Sequence, residues 1–368
     1  MFKPKPTKFS KHLESILSGY KNVNIAAGNN TGRVVYSTTL SEQKTFDFYD
    51  EFITEAELQK TFNEHVIIIH DEVILSKVIL RLHKWLLGKG CNQSNIILLS
   101  LLTLNAGQWW EEYKKVMNID SFTIIDVPFH HSNPHQLDSY VTEYKFSKTK
   151  NDKKIEKCFN WLGGIKDYRE DTDYVSVLLS KYKKIGVVDR VGKITSKQEI
   201  LNFAETITNF SNASHVHEIE SLYDLNVTNE YLTVLDGDYT RTYACAIRET
   251  RVIEPFYVVT EKTLKSILYE NLLLTPQNMT VMNDALNKIG FKTFIECNHK
   301  TKSFKENVDV MCEYIEEFAD KSIDELYSLY DSYKHDHEYN YDYILSGNCF
   351  KNIKYMVEQQ LDARIVNG

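Results

Sequence analysis

Short apolar runs with almost no polar interruption recur along this chain of 368 residues. In the first half they fall at Val23–Ala27, Val66–Ile69, Asn95–Leu101 and Phe122–Val127. A strand with one wet face alternates apolar and polar residues, whereas a strand buried on both faces does not. Stretches with helical spacing, 55–63, 72–87 and 108–117, lie between the runs. Doubly buried strands that alternate with helices predict a parallel sheet covered on both sides, and hence an α/β fold.

The second half repeats the pattern. Strands are expected at Cys158–Leu162, Ile185–Asp189, His215–Glu218, Tyr231–Leu235, Tyr243–Ile247, Phe256–Val259, Leu272–Leu274 and Thr293–Ile295. Helices are expected at 174–182, 196–210, 262–269, 278–289, 305–319, 323–337 and 348–364. The polar run Ser147–Lys154 reads as a linker. The length suits two cores better than one. The expected plan is therefore two Rossmann-like domains with mainly parallel sheets, residues 1–150 and 155–330. A helical tail, 331–368, is expected to pack back toward the first.

Composition narrows the function classes. A net charge of −8 argues against general nucleic-acid binding, which favours basic surfaces. Six cysteines are scattered with no C-x-x-C pair, which points to reduced thiols rather than a disulfide framework or zinc site. No apolar run is long enough to span a bilayer, and the N-terminal MFKPKPTKFSKHL lacks the apolar core of a signal peptide. A cytoplasmic protein is expected, in the host cytoplasm if the chain is viral.

The chemistry concentrates in residues 243–294. The apolar run Pro255–Val259 ends in Thr260-Glu261-Lys262-Thr263, with Lys265 just beyond. Where a strand feeds a helix, free N–H groups and the helix dipole attract phosphate, and Lys262 and Lys265 add full charges. Glu261 can accept hydrogen bonds from ribose hydroxyls. Arg248, Glu249 and Arg251 lie just upstream. Together they are expected to make a nucleoside-diphosphate site; the plainer alternative is a surface helix with paired charges.

Other constellations compete or contribute. Asp126 closes an expected strand, and His130 and His131 follow it; Asp71 and Glu72 follow another. Strand C-terminal ends of a parallel sheet face the ligand crevice, so either group can supply a base for an acceptor hydroxyl. Both also suit helix caps, and the choice between them stays open. Asp236-Gly237-Asp238 follows an apolar run, as metal-binding D-x-D pairs do, but D-G-D is also ordinary turn chemistry. A turn without metal is expected there. His215/His217 and His335/His337 suggest no third ligand by spacing.

Glu249, the Thr260–Thr263 helix start with Lys265, and Gly290-Phe291-Lys292-Thr293-Phe294 carry a resemblance. So does Cys158–Gly164 followed by Arg169, Tyr174–Tyr182, Val188-Asp189 and Gly192. The region 155–300 resembles a group of glycosyltransferases of bacteriophages and large viruses. More distantly it resembles the C-terminal half of the α1,3-fucosyltransferases. The resemblance implies a GT-B arrangement and a nucleotide-sugar site with Arg169, Arg248, Glu249, Thr260, Glu261, Lys262, Thr263 and Lys265. Tyr269-Glu270-Asn271 departs from the small residue or proline usual in those relatives, which puts the pocket floor in doubt.

The expected function is a hexosyl- or pentosyltransferase with no tightly bound cofactor and no metal. Its donor is a UDP-, GDP- or other nucleoside-diphosphate sugar. Its acceptor is a glycan or a modified base in phage DNA, deprotonated by Asp126, Asp71, Glu72 or His130. The alternatives are a GT-A-like metal enzyme using Asp236 and Asp238, and a non-catalytic nucleotide- or sugar-binding α/β protein.

Overall fold

The computed structural model describes residues 23–25, 65–70, 83–90, 92–101, 103–104, 106–118, 123–127, 153–163, 170–188, 196–226, 236–249, 257–258, 261–295 and 303–365. It is a mixed α/β protein with mainly parallel sheets. Contacts divide the chain into two units.

The first unit comprises Met1–Phe146, Ile253–Glu261 and Gly347–Gly368. Its sheet runs in the order β1 (Val23–Ile25), β2 (His65–His70), β3 (Ile96–Leu101) and β5 (Thr123–Val127), with every pair parallel. Ile96, Ile97, Leu98 and Leu99 are all buried, as the unbroken apolar run requires. Helix α1 (Ala106–Met117) lies between β3 and β5 in the chain and packs on β5. Its Trp110 is fully buried and meets His83 edge-on. Strand β4 (Thr103–Leu104) pairs antiparallel with β9 (Tyr257–Val258), which ties the 253–261 segment into this unit. The last helix, α11 (Asn348–Ile365), packs against β5. Its Cys349, Ile353, Val357 and Leu361 are buried at four-residue spacing, one face of a helix.

The second unit comprises Ser147–Val252 and Lys262–Ser346. In chain order it contains β6 (Lys157–Leu162), α2 (Glu170–Leu179), β7 (Gly186–Val188), α3 (Lys197–Ile207), α4 (Ala213–Asn226), α5 (Asp236–Arg241) and β8 (Thr242–Ile247). Then come α6 (Glu261–Leu268, its first residue counted with the first unit), β10 (Leu272–Leu274), α7 (Met279–Lys288), α8 (Phe304–Ala319), α9 (Ile323–Ser332) and α10 (Lys334–Leu345). The sheet order is β10-β8-β6-β7, again all parallel. All six residues of β8 are buried. The core gathers Phe159, Trp161, Tyr174, Ala244, Leu274, Met311 and Ile315. Between its strands, Asn160 Nδ2 donates to Thr242 Oγ1 at 2.7 Å.

From β6 the chain moves out to β7 on one side, then to β8 and β10 on the other. The order reverses between β6 and β8. In open parallel sheets, ligands bind outside the strand C-terminal ends at such a reversal.

Four local expectations are corrected. Residues 215–218 lie in α4 and form no strand; their neighbours Ile219 and Leu222 turn toward the core at helical spacing. Residues 293–295 pair with no strand among the described residues. Side-chain amides take the backbone groups around them: Asn340 binds both N–H and C=O of Lys292, at 2.8 and 2.9 Å, and Asn283 Nδ2 donates to Ile295 O at 2.7 Å. The long helix expected over 323–337 breaks at Tyr333, which leaves the helical region (φ −103°, ψ 4°) and separates α9 from α10. Asp236-Gly237-Asp238 opens α5 instead of forming a turn. The expected strand 231–235 and helix 55–63 lie outside the described residues; of 72–87, residues 83–87 are described and helical.

Candidate functional site

The sheet reversal places the ends of β6 and β8 side by side, with Leu162 opposite Ile247. Beyond β6 comes Gly163. A Cβ there would lie 2.6 Å from Thr172 Cγ2, so only glycine lets the strand end approach the first turn of α2 this closely. Beyond β8 come Arg248 and Glu249, both buried.

Charged side chains interlock here. Arg248 Nε donates to Asp171 Oδ2 at 2.8 Å, and Nη2 donates to the same oxygen. Asp171 Oδ1 accepts the N–H of Thr172 at 2.9 Å. Thr263 Oγ1 donates to Glu249 Oε1 at 2.5 Å, and Lys262 Nζ donates to the carbonyl of Arg248 at 3.1 Å. The end of β8 is thus stitched to α6 on one side and α2 on the other. Arg248 and Asp171 form an ion pair, and removing one partner of such a pair costs about 3–5 kcal/mol when the charge left behind is buried.

The expected site residues divide. Arg248, Glu249, Lys262 and Thr263 converge at the reversal. Lys265 does not join them: its ammonium lies 4.7 Å from the ring centre of Tyr239, in α5. Helix α5 leads into the N-terminal end of β8, the opposite pole of the sheet. Glu261 opens α6, with its side chain outside the described residues. Arg169, Arg251, Thr260, Asp71, Glu72 and His130 also lie outside them. Asp126, near the end of β5, accepts the N–H of Gly107 at 3.1 Å and so anchors the first turn of α1.

Asp236 and Asp238 sit before β8, while Arg248 and Glu249 leave its far end. Six residues of strand separate them, about 20 Å. The D-x-D pair and the Lys262 helix start therefore cannot grip one diphosphate. Among the described residues no group of three or more His, Cys, Asp or Glu side chains is placed to hold a metal ion. His215 hydrogen-bonds Tyr174 Oη at 2.7 Å through Nε2, and burial lowers its pKa; it is a core histidine. His337 is buried against Phe294 and Tyr330.

Sequence reading missed Asp171. Its local signal, Glu170-Asp171-Thr172-Asp173, looks like an acidic first turn that complements a helix dipole. Its partner Arg248 lies 77 residues away, out of reach of any local pattern.

No protein-family model matches the chain, and no curated protein matches it. Among solved structures, a glycosyltransferase from Rickettsia africae ESF-5 is similar over 99% of this chain and 83% of its own. The identity is 12% and the TM-score 0.37, a likeness too slight to carry argument. No helix among the described residues is long and apolar enough to cross a membrane.

Proposed function

We propose that the protein is a glycosyltransferase of GT-B type that takes its sugar from a nucleoside-diphosphate donor bound by the second unit. One observation supports this most: the strand-order reversal of the second sheet coincides with the residues that resemble a nucleotide-sugar site, Arg248, Glu249, Lys262 and Thr263. As the glycosidic bond breaks, the leaving diphosphate gains charge. Arg248, Lys262 and the start of α6 are the groups suited to meet it. In this reading the buried Glu249–Thr263 bond holds the helix start against the strand.

An acceptor hydroxyl needs a base, and Asp126, Asp71, Glu72 and His130 are the candidates from the sequence. The acceptor itself we read as a glycan or a modified base in viral DNA, on the resemblance alone. The test is isothermal titration of UDP-, GDP-, ADP- and CMP-linked sugars into folded full-length protein. Binding of at least one donor is expected. No heat with any of them, nor with the free nucleoside diphosphates, rejects the proposal.

A further inference from the structure

The Asp171 carboxylate occupies two anion-binding positions at once. One oxygen takes Nε and Nη2 of Arg248, and the other takes the first-turn N–H of Thr172 in α2. A guanidinium and a helix N-terminus both bind phosphate readily. We infer that Asp171 is an internal stand-in for a ligand phosphate, and that it sets the charge a donor must carry to enter. The inference rests on the donor-site reading above and adds a selection rule to it.

Three features separate this from an ordinary structural ion pair. Arg248 puts both donors on a single oxygen of Asp171, not on two in parallel. The paired fork-to-fork geometry, which is the stronger one, is left unused. Second, Asp171 is the more exposed member of the pair: its side chain is 20% exposed and that of Arg248 only 7%, while Glu249 is fully buried on Thr263. Third, Thr172 Oγ1 is buried in the same turn with no hydrogen-bond partner among the described residues. A phosphate that displaced Asp171 would find Arg248 and the Thr172 N–H, on the residue that carries this hydroxyl. A buried hydroxyl left without a partner is costly, and a ligand oxygen would relieve it.

Selectivity follows from the exchange. A singly charged anion offers Arg248 no more than Asp171 already does. A diphosphate brings more negative charge to the same two positions and does better. Asp171 is thus a positioning residue that acts through Arg248, favouring diphosphate over monophosphate and inorganic ions.

The experiment titrates pyrophosphate, inorganic phosphate, UDP and GDP into full-length wild type, Asp171→Asn and Asp171→Glu, with uridine and guanosine as uncharged controls. Removing the internal anion should tighten pyrophosphate binding about tenfold in Asp171→Asn and narrow its preference over phosphate. Asp171→Glu should return toward wild type, and nucleoside binding should not change. If wild type binds nucleoside diphosphates but Asp171→Asn gains nothing for pyrophosphate, the inference fails and the donor site stands. If wild type binds no nucleoside diphosphate at all, both fail. Should Asp171→Asn not fold, wild-type crystals soaked in pyrophosphate decide. The anion is expected on Arg248, with Asp171 Oδ2 moved beyond hydrogen-bond reach of Nε. An anion seated elsewhere, or with that pair intact, overturns the inference.

Discussion

Lys262 shows how burial changes the meaning of a residue. In the sequence it is a cation at a helix start; in the fold it is buried and its ammonium supports the carbonyl of Arg248. Lys262→Met keeps the aliphatic stem and removes only the charge. Diphosphate affinity should fall roughly tenfold in titration calorimetry, with nucleoside affinity unchanged. Equal affinities for wild type and variant would remove Lys262 from the donor site. Asp126 poses the opposite question, because its bond to Gly107 N–H is also what a helix anchor makes. Asp126→Asn retains an acceptor for that N–H but no base. If Asp126 deprotonates the acceptor, turnover should drop at least about a hundredfold while the melting temperature barely moves. Full turnover would leave Asp126 with the helix alone.

At the opposite pole of the sheet, the half-buried Lys153 donates to the carbonyls of Tyr239 and Tyr269, at 2.9 and 2.8 Å, and to Asn271 Oδ1 at 2.5 Å. Burial lowers its pKa to about 7, opposed by nearby Glu270. The unfolded chain holds this proton up to about pH 10.4. Between about 7 and 10 the unfolded state therefore binds more protons at this position than the folded state, and stability rises with pH. The slope is at most about 1.4 kcal/mol per pH unit. Urea unfolding of wild type against Lys153→Met, at steps from pH 7 to 9.5, should show the gap between the two curves shift in favour of wild type as pH rises. A constant gap would mean that the three acceptors hold the ammonium charged.

At the scale of elements, caps and glycines explain why helices start and stop where they do. Ser196 with Glu199 and Ser322 with Glu325 form reciprocal capping boxes on α3 and α9. Asn278 accepts the N–H of Val281 at 3.1 Å to open α7, and Gly290 at φ +97° follows that helix. There a side chain would also strike Tyr343, so glycine is required twice over. Asn278→Ala should cost about 1 kcal/mol in denaturant unfolding, and Asn278→Asp, which keeps the acceptor, much less. Equal losses would show that the cap bond contributes little. The break at Tyr333 has no such signal: it carries no side-chain cap. The apolar pattern runs on through it, which is why one helix was expected.

At the scale of the molecule, the chain's last segment, Gly347–Gly368, belongs with the first unit. Helix α11 buries Ile353, Val357 and Leu361 and packs on β5, which also carries Asp126. Deleting residues 347–368 exposes that face. Each large aliphatic side chain contributes about 1.5–3 kcal/mol on burial, so the first unit should lose most of its stability. Limited proteolysis should then cleave within 1–146 while 153–346 resists. Equal resistance of both units would show that α11 is dispensable.

The sequence by itself determined the α/β class, most strand positions and the order in which strands alternate with helices. These are written in local periodicity: a doubly buried strand must be apolar throughout, and a helix face must repeat near every fourth residue. It also marked Arg248, Glu249, Lys262 and Thr263, but within a larger set that held Arg169, Arg251, Thr260, Glu261 and Lys265 as well. Tertiary structure alone decided the order β10-β8-β6-β7, and so the point where ligands are expected. It alone brought Asp171 to Arg248 and sent Asp238 and Lys265 to the other pole. Strand order and long-range ion pairs depend on which surfaces close over one another, and no window of neighbouring residues contains that information.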